Sequence, residues 1–376
     1  MNGDSTVKAD MASLAQEASL RYVNDSGSGI ARKRTAHGFR YTDIHGRPLH
    51  EATQLARIKA LAIPPAWTKV WICPYANGHI QATGFDAKGR KQYRYHKKWR
   101  EIRDEVKYEH MIEFALHLPL IRRQVDQDLH RPGLCREKIL ALAVALLERT
   151  MIRVGNNEYA RTNQSFGLTT FRNRHVDVKG GIIAFHFRGK SRIVHSIRLQ
   201  NARLASIIRK MKDLPGQDLF QYIDEEGDRH PITSTDVNQY IKLISGRDYT
   251  AKDFRTWLGT LHAFHSLSLA DTFENLTQAK KNVMQAITEA ASKLGNTSAI
   301  CRKCYIHPYI IEAYLAGQLI QESQEYTNTK KNTQDRWALD VIEERVLKLL
   351  QSQTMVTSRV RASQCCAVHP RLSISC

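Results

Sequence analysis

Apolar and polar residues alternate in the first third of the chain and recur at helical spacing in much of the rest. Trp67–Cys73 and His79–Phe85 read as short strands separated by the turn Ala76-Asn77-Gly78. A second turn, Asp86-Ala87-Lys88-Gly89, leads into a strand over Lys91–His96. There Tyr93 and Tyr95 fall on one face, because side chains alternate along a strand. Arg90, Lys91, Arg94, Lys97 and Lys98 surround them. The pattern predicts a small β-rich domain over 31–105. It follows a tail over 1–30 that holds a weak helix and a Gly/Ser-rich stretch, Asn24–Gly29.

From about residue 105 the period becomes helical. Arg136–Met151 is amphipathic, with Pro132-Gly133 as a breaker before it. Ile183, Phe185 and Phe187 then alternate with Ala184, His186 and Arg188, and Ile193, His195 and Ile197 alternate on the return. This predicts a β-hairpin with Lys190 at its tip. Thr250 followed by Asp253 forms a capping box that opens a helix through about Leu269. A further helix spans Asn275–Leu294, stopped by Gly295-Asn296. Ser298 is placed to cap a short helix carrying Tyr305, and Pro308 opens another that ends near Gly317. Trp337–Leu350 reads as a last amphipathic helix, and Thr354–Cys376 has no period. The expected fold class is α+β: a tail over 1–30, a β-rich domain over 31–105, a mainly helical domain with a β-hairpin insert over 106–322, and a C-terminal extension over 323–376.

Charge narrows the function. Lys and Arg number 56 against 37 Asp and Glu, a formal net charge of +19 in 376 residues. Such an excess seeks a polyanion, and nucleic acid supplies one through its phosphates. Seven cysteines without framework spacing point to a reducing compartment. The N-terminal residues lack the apolar core of a secretory signal, and no run is apolar enough to span a membrane. A soluble intracellular chain is expected. No phosphate-binding G-x-x-x-x-G-K-[ST] motif occurs, which argues against an ATPase, and no paired-carboxylate cluster of two-metal nucleases is evident.

Several residues can carry phosphate chemistry, though each alone has a plainer explanation. Arg153, in Arg153-Val154-Gly155-Asn156 after an apolar helix, can grip a phosphate bidentately or be a surface arginine beside a helix-ending glycine. Lys190 can reach into a groove or simply be solvated in its turn. Arg255 sits near the N-terminus of a capped helix, a favourable place for anions, or is an ordinary paired arginine. Tyr305, with Arg302 and Lys303 close by, can be a nucleophile directed at phosphate or a packed aromatic. Cys301 and Cys304 form a C-x-x-C without further zinc ligands at suitable spacing and without a thioredoxin-like pattern, and are read as incidental.

In this order and spacing, Arg153, Lys190, Arg255, Asn296 and Tyr305 resemble the active site of type IB DNA topoisomerases. The likeness is to the compact poxvirus-like subfamily that also occurs in bacteria. The run Gly84–Tyr95 resembles a second signature of that family, and the likeness covers about residues 20–320. The resemblance implies an N-terminal β domain and a helical catalytic domain that clamp duplex DNA. It implies that Tyr305 attacks a backbone phosphate to form a 3′-phosphotyrosyl bond, that Arg153, Arg255 and Asn296 bind the non-bridging oxygens, and that Lys190 protonates the leaving 5′-oxygen. The broken strand then swivels and is resealed without ATP, metal or other cofactor. Gln92, Tyr93, Tyr95 and Arg90 are the implied DNA contacts of the first domain, with Tyr159 and Arg161 as backbone contacts. Viral relatives often carry His where this chain has Asn296, and the segment after about Leu350 has no counterpart. The implied partner is double-stranded DNA, bound by a monomer in the cytoplasm of a bacterium, at the nucleoid, with no membrane partner. Two other readings stay open: a tyrosine recombinase, which usually shows His-x-x-Arg where this chain has Lys252 before Arg255, and a non-catalytic DNA-binding protein.

Overall fold

A computed structural model describes residues 11–270, 272–319 and 336–353. The chain divides into two compact units, with the boundary between Glu109 and His110.

In the first unit, β1 (Ile30–Thr35), β2 (Gly38–Thr42), β3 (Thr68–Ile72), β4 (Ile80–Phe85) and β5 (Lys91–Tyr95) form an antiparallel sheet in the order β2-β1-β3-β4-β5. Helix α1 (11–17) precedes it, and α2 (Ala52–Ala60) lies between β2 and β3. Ile30, Ile58, Val70, Ile72 and Ala82 form its main core. The three strands expected from alternation are present. The hairpin β1–β2 was not legible, because Arg32, Lys33, Arg34 and Arg40 break the apolar alternation. Nor do residues 11–29 form a free tail: Ala15 and Leu20 pack with Trp99, and the Arg21 amide donates to the Asn77 carbonyl at 2.8 Å.

Helix α3 (Lys97–Leu129) starts ahead of the expected position near 105 and runs on into the second unit. The core of that unit is α4 (Arg136–Thr150), in which every residue from Ile139 to Leu147 is buried. Each buried Leu, Ile or Val contributes roughly 1.5–3 kcal/mol relative to exposure. Short α5 (Asn157–Asn163) follows, and then a three-stranded sheet of β6 (Val176–Lys179), β7 (Ile182–Arg188) and β8 (Val194–Gln200), with β7 in the middle. Ile183, Phe185 and Phe187 are buried on its inner face, as their alternation requires. After it come α6 (Ala202–Lys212), the small hairpin β9 (Gln221–Ile223) and β10 (Arg229–Pro231), and α7 (Ser234–Ser245). Next are α8 (Ala251–Ser268), α9 (Leu276–Leu294), α10 (Ser298–Cys304) and α11 (Pro308–Leu315).

Residues 341–353 form α12. The helix expected over Trp337–Leu350 therefore begins later, and Trp337 precedes it. The periodless stretch Thr354–Cys376 lies outside the described residues. A strand-rich first unit and a mainly helical second unit with a small sheet make up the α+β fold.

Candidate active site

Four separate chain segments of the second unit converge on one small region. The first follows α4. Met151 takes a left-handed conformation (φ 54°) with its amide bonded to Leu147, which ends the helix and turns the chain. Ile152 is buried, and the Arg153 and Val154 carbonyls accept from the amides of Leu168 and Thr169 at 2.9 and 2.7 Å. The backbone of Arg153 is thus pinned, and its side chain crosses to the second segment, the turn after α9. There Gly295, at φ +59°, caps the helix in the left-handed region that favours glycine. The Arg153 Nη2 atom donates to the Gly295 carbonyl at 3.3 Å and to Asn296 Oδ1 at 2.5 Å.

Arg255 comes from the third segment, α8, opened by the expected capping box: Asp253 accepts from the amide and hydroxyl of Thr250 at 2.8 and 2.9 Å. The Arg255 side chain is 5% exposed. Its Nη1 donates to the Met151 carbonyl, and its Nη2 to that of Leu294 at 2.8 Å. Burial, and then the neighbouring charge of Arg153, push its pKa down to about 10. Burial likewise lowers that of Arg153. A buried cation beside a half-buried one is costly without an anion between them. The Arg255 Nε and Asn296 Nδ2 atoms are both buried without a hydrogen-bond partner.

Tyr305 ends α10, which continues the second segment, with the Arg255 guanidinium 5.3 Å from its ring centroid. The expected cap Ser298 is displaced by one residue. Thr297 caps α10 by accepting from the Ile300 amide, and Tyr305 is the C-cap rather than a residue within the helix. Its carbonyl accepts from Thr260 Oγ1 at 3.1 Å, which ties it to α8.

The fourth segment is the β7–β8 hairpin, whose tip carries Lys190. A crevice in the second unit is lined by Lys190, Arg153, Arg255, His195 and Lys293, among others. The hairpin thus brings Lys190 to the two arginines. Cys301 is buried and Cys304 half-buried. Among the described residues, no cluster of three or more His, Cys, Asp or Glu is arranged to hold a metal ion.

The expected DNA contacts of the first unit lie on and before β5. Tyr93 is 42% exposed and stacks on Tyr95 with ring centroids 5.8 Å apart. Gln92 projects to the opposite face, where its amide donates to Asp86 Oδ2 at 3.0 Å. Arg90 donates to the same carboxylate at 2.8 Å, and the Arg90 interaction holds the Asp86 pKa down at about 2. In the second unit, Tyr159 and Arg161 stand exposed on α5, which buries no side chain and is capped by Asn156.

The sequence profile of the catalytic core of eukaryotic DNA topoisomerase I matches residues 96–334. That of the N-terminal domain of bacterial DNA topoisomerase IB matches residues 38–86. DNA topoisomerase 1B of Acanthamoeba polyphaga mimivirus is 32% identical over 293 residues, covering 76% of this chain and 87% of the viral protein. The chain belongs to the type IB DNA topoisomerases.

Within this family, DNA topoisomerase 1B of vaccinia virus (strain Copenhagen) is 25% identical over 233 residues, 61% of this chain and 70% of its own. DNA topoisomerase 1 of rabbit fibroma virus (strain Kasza) is 23% identical over the same shares. The activity of the chain is that of a type IB DNA topoisomerase. Among the described residues, no helix of this topoisomerase is long and apolar enough to cross a membrane.

Sequence reasoning missed two participants in the site. His195 was read only as an alternating strand residue, yet it lies in the crevice with Arg153 and Arg255. Thr260, 0% exposed, donates to the Tyr305 carbonyl and accepts from the His307 amide at 3.1 Å. A polar residue on the buried stripe of α8 was the only signal for it.

Proposed function

We propose that this topoisomerase relaxes duplex DNA with Tyr305 as nucleophile, Arg153, Arg255 and Asn296 as binders of the scissile phosphate, and Lys190 as general acid. The observation that carries this reading is the convergence of Arg153, Asn296 and Arg255 beside the Tyr305 ring, with the Arg255 Nε and Asn296 Nδ2 donors unpartnered. A phosphodiester gathers negative charge on its non-bridging oxygens as the attacking oxygen approaches. Preorganised guanidinium and amide donors stabilise that charge. A phenol attacks as phenolate, a form that nearby cations favour. Attack of the Tyr305 oxygen on phosphorus breaks the bond to the 5′-oxygen, which takes a proton from Lys190 as it leaves. The phosphotyrosyl bond conserves the energy needed for resealing, so neither ATP nor a cofactor enters.

Further readings rest on the same chemistry. The first unit reads the duplex through Tyr93, Tyr95, Gln92 and Arg90, while Tyr159 and Arg161 hold the backbone near the cut. Gln92 and Arg90 lie within the Asp86 network, so it is released or rearranged when they meet DNA. One chain carries all five catalytic residues, which supports action as a monomer. The profile match to a bacterial N-terminal domain supports work on a bacterial nucleoid in the cytoplasm.

The test mixes protein with negatively supercoiled plasmid in EDTA without ATP, beside a Tyr305→Phe variant. Relaxation by the native protein alone, with a detergent-trapped adduct mapping to Tyr305, is the expected result. Relaxation by the variant would rule out Tyr305 as the nucleophile.

A further inference from the structure

The hairpin that carries Lys190 is tied to the rest of the site by an unusual contact. Its tip is short: the Gly189 amide donates to the Ile193 carbonyl at 2.7 Å, and Ser191 and Arg192 both take left-handed conformations (φ 62° and 63°). Lys190 itself is exposed. What meets the base of the tip is the imidazole of His195, which lies directly across the ladder from Phe187 and stacks on it with centroids 4.9 Å apart and planes at 13°.

The imidazole then touches two glycines from distant parts of the sequence. A Cβ on Gly189, next to Lys190, would fall 2.8 Å from His195 Cδ2 and Nε2. A Cβ on Gly295, next to Asn296, would fall 2.3 Å from His195 Cε1. Only residues without a side chain leave room for the ring at these places. A flat, rigid group is therefore wedged between the backbone that carries Lys190 and the backbone that carries Asn296.

We propose that His195 is a positioning residue for strand cleavage: its imidazole is the spacer that fixes Lys190 relative to Asn296 and the two arginines. This rests on the reading of Lys190 as general acid given above. A general acid must meet the leaving oxygen within hydrogen-bond reach, and a displacement of about 1 Å can cost on the order of a hundredfold in rate. For a lysine on a short exposed tip, the stacked ring sets its depth through Gly189. Burial, with Arg153 and Arg255 nearby, lowers the His195 pKa, so the spacer is an uncharged ring near neutral pH.

The test compares single-turnover cleavage of a duplex with the natural 5′-oxygen at the cut against one with a bridging sulfur there. A thiolate leaves without a proton, so sulfur removes the need for the acid. The ratio of sulfur to oxygen rates does not depend on the fraction of enzyme that is folded. His195→Ala is expected to slow cleavage of the oxygen substrate by about tenfold to a hundredfold and to raise the ratio towards that of Lys190→Ala. If Lys190→Ala raises the ratio and His195→Ala leaves it at the native value, the spacer role is overturned. If Lys190→Ala itself does not raise it, the assignment of Lys190 as acid fails instead, and the inference falls with it. Should His195→Ala not accumulate as folded protein, His195→Asn is read by the same ratio.

Discussion

Arg153 donates to the side-chain oxygen of Asn296 at 2.5 Å, and the other end of that amide, Nδ2, is buried and unpartnered. One contact therefore does two things: it orients the asparagine and leaves its N–H donors for an incoming anion. Asn296→Asp keeps the oxygen and loses the donor, placing a negative charge where the proposed mechanism binds phosphate. Cleavage should fall by at least the roughly hundred- to thousandfold typical of losing a preorganised donor, and further than in Asn296→Ala. Asn296→His, which restores an N–H, should retain most of the rate. Single-turnover cleavage of a defined duplex measures all three.

Arg255→Lys should not substitute for arginine. The guanidinium spans from the Met151 carbonyl to that of Leu294 and still has a buried Nε to offer. A lysine presents one compact charge and cannot reproduce that fork. The expected loss in cleavage for Arg255→Lys, as for Arg153→Ala, is on the order of a hundredfold or more, while DNA binding at low salt changes far less.

Gly259 sets how closely Tyr305, at the end of α10, approaches α8. A Cβ there would lie 3.0 Å from the Tyr305 carbonyl oxygen and 3.1 Å from Tyr305 Cβ. Gly259→Ala gains about 1 kcal/mol of helix propensity but overpacks at a cost of roughly 1–3 kcal/mol, so the melting temperature should drop slightly or hold. Moving Tyr305 away from Arg255 should lower cleavage by at least about tenfold. A variant with native cleavage would show that this contact does not position Tyr305.

Away from the site, Arg122 joins Glu148 on α4 and Glu343 on α12 at 2.6 and 2.7 Å, with side chains 20%, 16% and 4% exposed. Removing one member strands buried charge. Arg122→Ala should therefore destabilise the second unit by about 3–5 kcal/mol, read from denaturant unfolding.

The pair His110 and Asp253, 3.6 Å apart, makes stability depend on pH. The Asp253 carboxylate raises the His110 pKa above its ordinary value. The contribution of His110 is thus complete below its unfolded pKa and is lost as pH rises through its higher folded pKa. Burial pushes Asp253 up, but His110 and Thr250 together bring it below the usual carboxylate range. Its contribution is present above the unfolded carboxylate pKa and fades as pH falls through the lower folded one. Of this pair only the histidine titrates between about pH 6 and 9, so the stability of the native protein relative to His110→Asn should fall on that rise. Equal slopes would dismiss the pair as a source of pH dependence.

The sequence by itself determined the elements whose cause is local. Alternation marked β3, β4, β5 and the Lys190 hairpin, Thr250 and Asp253 marked the start of α8, and Gly295 marked the end of α9. These depend on neighbours one to four residues apart, which any sequence displays. The five candidate residues were legible through their order and spacing. Their meeting was not: Arg153 reaches Asn296, Arg255 reaches Met151 and Leu294, and the ring of His195 fills the space between Gly189 and Gly295. Apart from His195 against Gly189, which meet across one hairpin, those contacts join residues far apart in the chain. They exist only because packing of α4, α8 and α9 and the hairpin brings backbone groups together in one buried place, where close fit, and not local propensity, decides what can stand beside what.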